Sequence, residues 1–324
     1  MTKNLFSDQE FSTTAESLDL TDAEQLESLA RRLDAHPDFK VLRRLIPHKV
    51  FQADPPERML SKGVILDTET TGMDVQKDKV IELGMILFEF DPQTGVIYKV
   101  LKTFDQYEDP GFPIPAESTA VHNITDEMVR GCVIADKEVS DFLKNVSVVI
   151  AHNAGFDRAF VEMRWPLFQD FMWGCSLKDI DWRSEGFGSA KLEYLVYTQG
   201  LFYDAHRADA DCCALLELLS CTLPSSQQPA LLQLLESLNQ PQIRLYALGS
   251  PFETKEVLKQ RNYRWSADLR SWHRTLTSEK ELEAELSWLK RNVYENRKAV
   301  VEVERIGGKV RYSQRTGEKK QIPL

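Results

Sequence analysis

Residues 61–72 read SKGVILDTETTG, an apolar run that ends in Asp67 and Glu69. Carboxylates two positions apart on an extended strand point to the same face, and side by side they repel unless a proton or a cation lies between them. The same letters also describe the end of a solvent-facing strand, so the surroundings must decide. Downstream, VIELGMILFEF (80–90) and GVIYKVLKTF (95–104) are apolar runs joined through DPQTG, which reads as a β-hairpin, and SVVIAHN (147–153) reads as a later buried strand. Helical stretches are expected near Phe156–Trp165, Lys191–Thr198 and His206–Leu219. Mixed strands and helices over this span indicate an α/β domain with a mixed central sheet.

The flanks differ in character. Thr21 and Glu24 have capping-box spacing ahead of Leu26, Leu29 and Leu33, which predicts an amphipathic helix, and a shorter helix is expected over Asp38–Leu45. Pro47, Pro55 and Pro56 punctuate a linker before the Asp67 strand. After SLNQPQ, Ser250, Pro251 and Glu253 suggest a capping box with proline in the first helical position, and Ser278 and Glu281 suggest another. Leu282, Leu286, Leu289 and Val293 then share one helical face, and KAVVEVERI-GG-KVRYSQR reads as a hairpin about Gly307 and Gly308. The expected division is a helical extension over 1–60, an α/β domain over 61–222, a helix and linker over 223–243, and a small basic α+β domain over 244–324.

The chain has 324 residues, 42% of them hydrophobic, which excludes a disordered chain or a mini-protein. No apolar run approaches the roughly 20 residues that span a bilayer, and the first residues lack the features of a signal peptide. Cys132, Cys175, Cys212, Cys213 and Cys221 are odd in number and lack a CxxC pair, so buried thiols in a reducing cytoplasm are expected. The net charge of -10 argues against a phosphate-binding surface, yet it conceals a division. Residues 1–240 carry 22 Lys+Arg against 39 Asp+Glu, whereas residues 241–324 carry 18 against 11. An acidic body that holds divalent cations would present a reversed local field to an anionic substrate.

Two later segments extend the case. In VVIAHNAGFDRAF a buried strand runs through a turn into a helix and sets Asp157 near the helix start; in HRADAD, His206 and Asp211 lie about a turn and a half apart on an expected helix. Singly, Asp157 also reads as a helix N-terminal carboxylate and His206 as a surface histidine. Together and in order, DTETTG, HNAGFD and HRADAD resemble the DEDDh family of 3′–5′ exonucleases, which includes the proofreading subunit of bacterial DNA polymerase III and ribonuclease T. The resemblance covers roughly residues 62–219 and includes IPAESTAVHNITDEMV (114–129) and AKLEYLVYTQGL (190–201). Two departures are Asn123, where the family often has glycine, and the extra acidic residue Asp209.

The resemblance implies a ribonuclease-H-like fold and a metal-dependent hydrolase that releases nucleoside 5′-monophosphates from a 3′ end. It makes Asp67, Glu69, Asp157 and Asp211 ligands of two cations, Mg²⁺ or Mn²⁺ given oxygen-only ligation, with His206 as general base. It also implies substrate contacts at Thr70, Thr71, Gly72, Met73, His122, Asn153 and Phe156, although Met73 and Phe156 equally suit core packing. In the basic section, Tyr263, Trp265 and Trp272 lie among six cations in a W-x(6)-W pattern resembling a small bacterial module attached to enzymes of DNA metabolism. Trp265 and Trp272 are therefore candidates for stacking on single strands, or else the core of a tiny domain. The terminal QIPL faintly resembles a sliding-clamp peptide. DNA 3′ ends, in repair or end processing, are the leading substrate; an exoribonuclease of the same fold and a non-catalytic adaptor are the alternatives, and no membrane partner is expected.

Overall fold

In the computed structural model, residues 22–324 other than 241 and 268 are described. Helix α1 (Ala23–Asp34) is capped by Asp22, whose carboxylate accepts from the Glu24 and Gln25 amides; Thr21 lies outside the described residues. The helix expected over Asp38–Leu45 does not form. Strand β1 (Arg43–Arg44) runs there instead, because the extended chain finds partners: Arg43 N–H donates to Gly200 O, Leu45 N–H donates to Phe202 O, and Leu45 is buried in the core.

The site is carried by a five-stranded sheet. Strands β2 (Ser61–Thr70), β3 (Val80–Phe90) and β4 (Ile97–Tyr107) form an antiparallel meander. Short helices α2 (Ala116–His122), α3 (Asp126–Val129) and α4 (Asp136–Phe142) lead to β5 (Val148–Ala151), which joins β2 in parallel. Asn123 ends α2 in the left-handed region, φ 59°, where glycine is the usual residue and asparagine the next best tolerated. After α5 (Asp157–Arg164), β6 (Met172–Cys175) completes the order β4-β3-β2-β5-β6. Helices α6 (Ser176–Asp179) and α7 (Leu192–Thr198) and strand β7 (Leu201–Phe202), which pairs with β1, precede α8 (Ala208–Ser220) and α9 (Ala230–Asn239). Apolar side chains fill both faces of the sheet: Ile65, Phe88 and Leu215 on one, Leu66, Val149 and Trp173 on the other. All five cysteines are free thiols, Cys175 and Cys212 buried and the others half-buried. No helix among the described residues is long and apolar enough to cross a membrane.

A second, antiparallel sheet follows. Strands β8 (Gln242–Ala247), β9 (Arg264–Ser266), β10 (Ser271–Leu276), β11 (Val300–Ile306) and β12 (Glu318–Pro323) lie in the order β12-β11-β8-β10-β9, with α10 (Lys255–Gln260) and α11 (Glu279–Asn292) supplying its core. Ser278 caps α11 through the Glu281 amide as expected, whereas no capping box forms at Ser250. Pro251 is extended, ψ 143°, so only a 3₁₀ turn over Phe252–Thr254 precedes α10.

The hairpin about Gly307 and Gly308 is also corrected: β11 returns through β12, with Val300 opposite Pro323 and Arg305 opposite Glu318, and not through KVRYSQR. The intervening residues are taken by the first sheet's domain. Arg311, 2% exposed, donates to Asp179 Oδ1 and to Ser237 O, while the buried Arg158 guanidinium donates to Lys309 O and Arg311 O. Removing one partner of a buried ion pair typically costs about 3–5 kcal/mol. Arg311→Met is therefore expected to lower the unfolding free energy of the chain by an amount in that range, read as a fall in the urea midpoint at constant slope; an unchanged midpoint would show that this clamp carries no stability.

Candidate active site

Strand alternation sets Asp67 and Glu69 on one face of β2, as the sequence predicts. Their third partner comes from α8, which can approach only because residue 84 is glycine. A Cβ built on Gly84, the β3 residue opposite Asp67, would lie 2.5 Å from the Ala208 carbonyl carbon. This close approach brings Asp211 to the strand, where carboxylate oxygens of Asp67, Glu69 and Asp211 all lie within 4.8 Å of one another. An all-oxygen, carboxylate set of this kind fits a hard divalent cation.

The electrostatics point the same way. Loss of water first, then the charges of Asp157, Asp211, Glu69 and Glu82, holds the Asp67 carboxyl well above its ordinary range. Glu69 is pushed up to about 8 by burial and then by Asp211, Glu82 and Asp157. Burial raises Asp211 too, against the Tyr203 hydroxyl and the His206 amide, both of which donate to it at 2.8 Å. Asp67 and Glu69 accept no hydrogen bond from any described residue in this structure, and a proton or a cation between them would relieve their mutual repulsion.

Asp157 stands in the first turn of α5, nearly fully buried. Its carboxylate accepts from the Thr68 amide and hydroxyl at 3.1 and 3.0 Å, and burial raises it to about 7. It lines the same cleft but is outside the close group of three. His206 is not on a helix. It precedes α8 with φ 64°, because the His206 and Arg207 amides turn toward Asp211 Oδ2, and its ring is exposed at the rim. Asp209 is exposed.

The cleft, about 550 Å³, is lined by Asp67, Glu69, Asp157, His206 and Asp211 together with Met73, Asn153 and Phe156. Met73 is 82% exposed and so is no core residue, whereas the Phe156 ring packs 4.9 Å from that of Phe160. Thr70, Thr71 and Gly72 are not on its wall: Thr70 Oγ1 donates to Gly72 O, Thr71 Oγ1 to Asp78, and Ser118 Oγ to Thr71 O. His122 is buried, its Nδ1 accepting the Ile124 amide. Trp265 and Trp272 do not line this cleft; they are paired across β9 and β10 with rings 5.6 Å apart, Trp265 half-exposed and Trp272 packed on the second core.

Three contributors escaped the sequence reading. Tyr203 and Thr68 orient the acids, and buried Glu82, directly opposite Glu69 on β3, is held by Arg207 at 3.0 and 3.2 Å and by the Ala208 amide at 3.0 Å. The glutamate inside the apolar VIELG run and the arginine inside HRADAD were visible signals for this last pair.

Comparison with known proteins follows the same residues. A family model described as exonuclease, of the RNase T group, matches residues 64–219. The DNA polymerase III subunit epsilon of Treponema pallidum is 30% identical over 165 residues, covering 48% of this chain and 73% of that protein. The PolC-type DNA polymerase III of Pediococcus pentosaceus is 38% identical over 104 residues, 31% of this chain; the chain spans only 7% of that protein's length. A zinc-bound Escherichia coli exonuclease I complex with single-stranded DNA gives a TM-score of 0.49 at 14% identity, over 72% of this chain and 71% of that one. With this match to the epsilon subunit and a carboxylate cluster fit for a metal, the chain belongs to the exonuclease family, as a DEDDh-type 3′–5′ exonuclease.

Proposed function

We propose that the chain removes nucleoside 5′-monophosphates from DNA 3′ ends, single-stranded or overhanging, in DNA repair or end processing within the cytoplasm. The observation that carries the reading is the convergence of Asp67, Glu69 and Asp211 in a cleft that Asp157 and His206 also line. In this reading Asp67, Glu69, Asp157 and Asp211 hold two Mg²⁺ or Mn²⁺ ions. Such ions supply positive charge to the attacking and leaving oxygens of an in-line displacement. The protein's own groups do the rest. Tyr203 and Thr68 fix the rotamers of Asp211 and Asp157. His206 acts as general base for the attacking water; its ring has no hydrogen-bond partner among the described residues, whereas His152, the other histidine of the cleft, contacts Ser176 Oγ and is held uncharged by burial, its pKa lowered to about 4.

Met73, Asn153 and Phe156 are the contacts for the terminal nucleotide, with Thr70, Thr71, Gly72 and His122 supporting the loop beneath them. DNA is favoured over RNA because the Treponema pallidum relative is named as a subunit of a DNA polymerase. The nuclease unit is taken as residues 61–222, after a helical extension over 1–60 and before the 223–243 helix and linker and the basic domain over 244–324. No clamp partner is proposed: Gln321, Ile322 and Pro323 pair with β11, and Leu324 N–H donates to Ala299 O.

Matched 5′-labelled DNA and RNA oligonucleotides with Mg²⁺, Mn²⁺ or chelator test this directly. A metal-dependent ladder shortening from the 3′ end is expected, faster on DNA, with His206→Ala slowing turnover by about 10²- to 10⁴-fold. Faster RNA cleavage would substitute the exoribonuclease, and binding without cleavage would leave the adaptor. The raised carboxyls make a second prediction. They bind protons more tightly folded than unfolded, so from about pH 4, their unfolded range, up to about 8 for Glu69, rising pH destabilises the metal-free fold. The metal-free melting temperature should fall from pH 5 to pH 8, and the Mn²⁺-induced rise should be larger at pH 8 than at pH 6, with Glu69→Gln flattening both trends. A rise independent of pH would contradict the assignment.

A further inference from the structure

The second sheet has two unlike faces. On β8, Ile243, Leu245 and Ala247 belong to the core shared with α10 and α11, so alternation turns Arg244 and Tyr246 to the opposite side. Register then groups Arg264, His273 and Thr275 with Arg244, since His273 pairs with both Tyr246 and Arg264 and Thr275 pairs with Arg244. Trp265 and Trp272 fall on the helix side. The Arg244 face looks across a cleft of about 770 Å³ whose far wall includes Gly155, Lys178 and Arg315. Lys178, Arg244, Arg264 and Arg315 line it as cations in a chain of net charge -10; Arg244 pairs with Glu304 and Arg315 with Glu162, while Arg274 at its edge turns to the helix side and pairs with Glu285.

Two of those cations, Lys178 and Arg264, are exposed and form no ion pair among the described residues, and buried His273 Nδ1 and Arg244 Nε lack hydrogen-bond partners. The cleft adjoins the catalytic one. Asn153 and Phe156 line the catalytic cleft and Gly155, between them, lines the basic one; a Cβ on Gly155 would lie 3.9 Å from Lys178 Nζ. Two trans peptides place Gly155 Cα within about 7.6 Å of Asp157 Cα, so a strand whose 3′ end lies at Asp157 passes the mouth of the basic cleft directly. The cations are spread over β8, β9, α6 and the β11–β12 connection and do not converge on one point, which suits an extended polyanion. We infer that this cleft is a track for the phosphate backbone of the substrate strand on the 5′ side of the linkage being cut. It rests on the proposed nuclease reading, and it reads charge, not bases.

The test compares a trinucleotide with a 20-nucleotide DNA strand, using full-length wild type, Lys178→Glu/Arg264→Glu, and Lys290→Glu, an exposed charge change on α11 away from the cleft. The double variant is expected to raise KM for the long strand about tenfold or more and to flatten its log KM against log salt slope by about 1.4, two single-strand phosphate contacts. Trinucleotide cleavage should be unchanged in it, Lys290→Glu should match wild type on both substrates, and Lys178→Arg/Arg264→Lys should retain wild-type behaviour. Equal effects on long and short strands, or none on either, would overturn the track while leaving the nuclease reading in place. Wild type that cuts neither substrate would overturn that reading and the track together.

Discussion

Carboxylates crowded at the end of β2 impose the constraint on which the rest of the site depends. Glu82 is answered by Arg207, Asp157 by Thr68, and Asp211 by Tyr203 and the turn at His206. Asp67 and Glu69 are answered by no described side chain, and both are shifted toward the protonated form. A fold selected for stability alone would gain by replacing such a cluster with apolar groups. Its retention makes physical sense where a cation completes it. Gly84 serves the same end, since a side chain there would hold α8, and with it Asp211, away from the strand.

A second buried charge organises the chain at larger scale. Arg311 leaves the β11–β12 connection to reach Asp179 and Ser237, and Arg158 holds the same segment by its carbonyls. Arg158 directly follows Asp157, so the helix that presents a candidate ligand also anchors the second sheet. That anchoring sets the cationic face of β8, β9 and β10 beside the turn at Gly155. The acidic and basic halves seen in the composition thus meet at one place.

Four of the five strands of the central sheet, β2 to β5, were legible because they carry period-two or continuous apolar patterns and DPQTG is strong turn chemistry; β6, four residues with no such pattern, was not read. The acid pair followed from strand alternation and Asp157, His206 and Asp211 from ordered motifs, whereas the supporting Tyr203, Thr68 and Glu82 were not read and Thr70, Thr71 and Gly72 lie off the cleft wall. What failed was governed by tertiary contact. Asp38–Leu45 has helical letters but gains strand partners at Gly200 and Phe202. Gly307 and Gly308 look like a hairpin turn, yet Arg311 is buried against Asp179 and Ser237 of the other domain, contacts that no local turn signal reveals. His206 sits at positive φ because Asp211 captures its amide, a contact no helical spacing reveals. Trp265 and Trp272 share a face with the core because both fall on the same alternation as buried Leu276 and Ala247.

The most direct measurement is an equilibrium count of Mn²⁺ bound to the full chain at pH 8, by the paramagnetic resonance of the free ion, with and without deoxythymidine 5′-monophosphate. Binding that strengthens with the nucleotide and disappears in Asp67→Asn, while that variant stays folded, is the expected result. Mn²⁺ binding unchanged by Asp67→Asn, or absent from the wild type, would contradict the assignment of these carboxylates to a catalytic metal site.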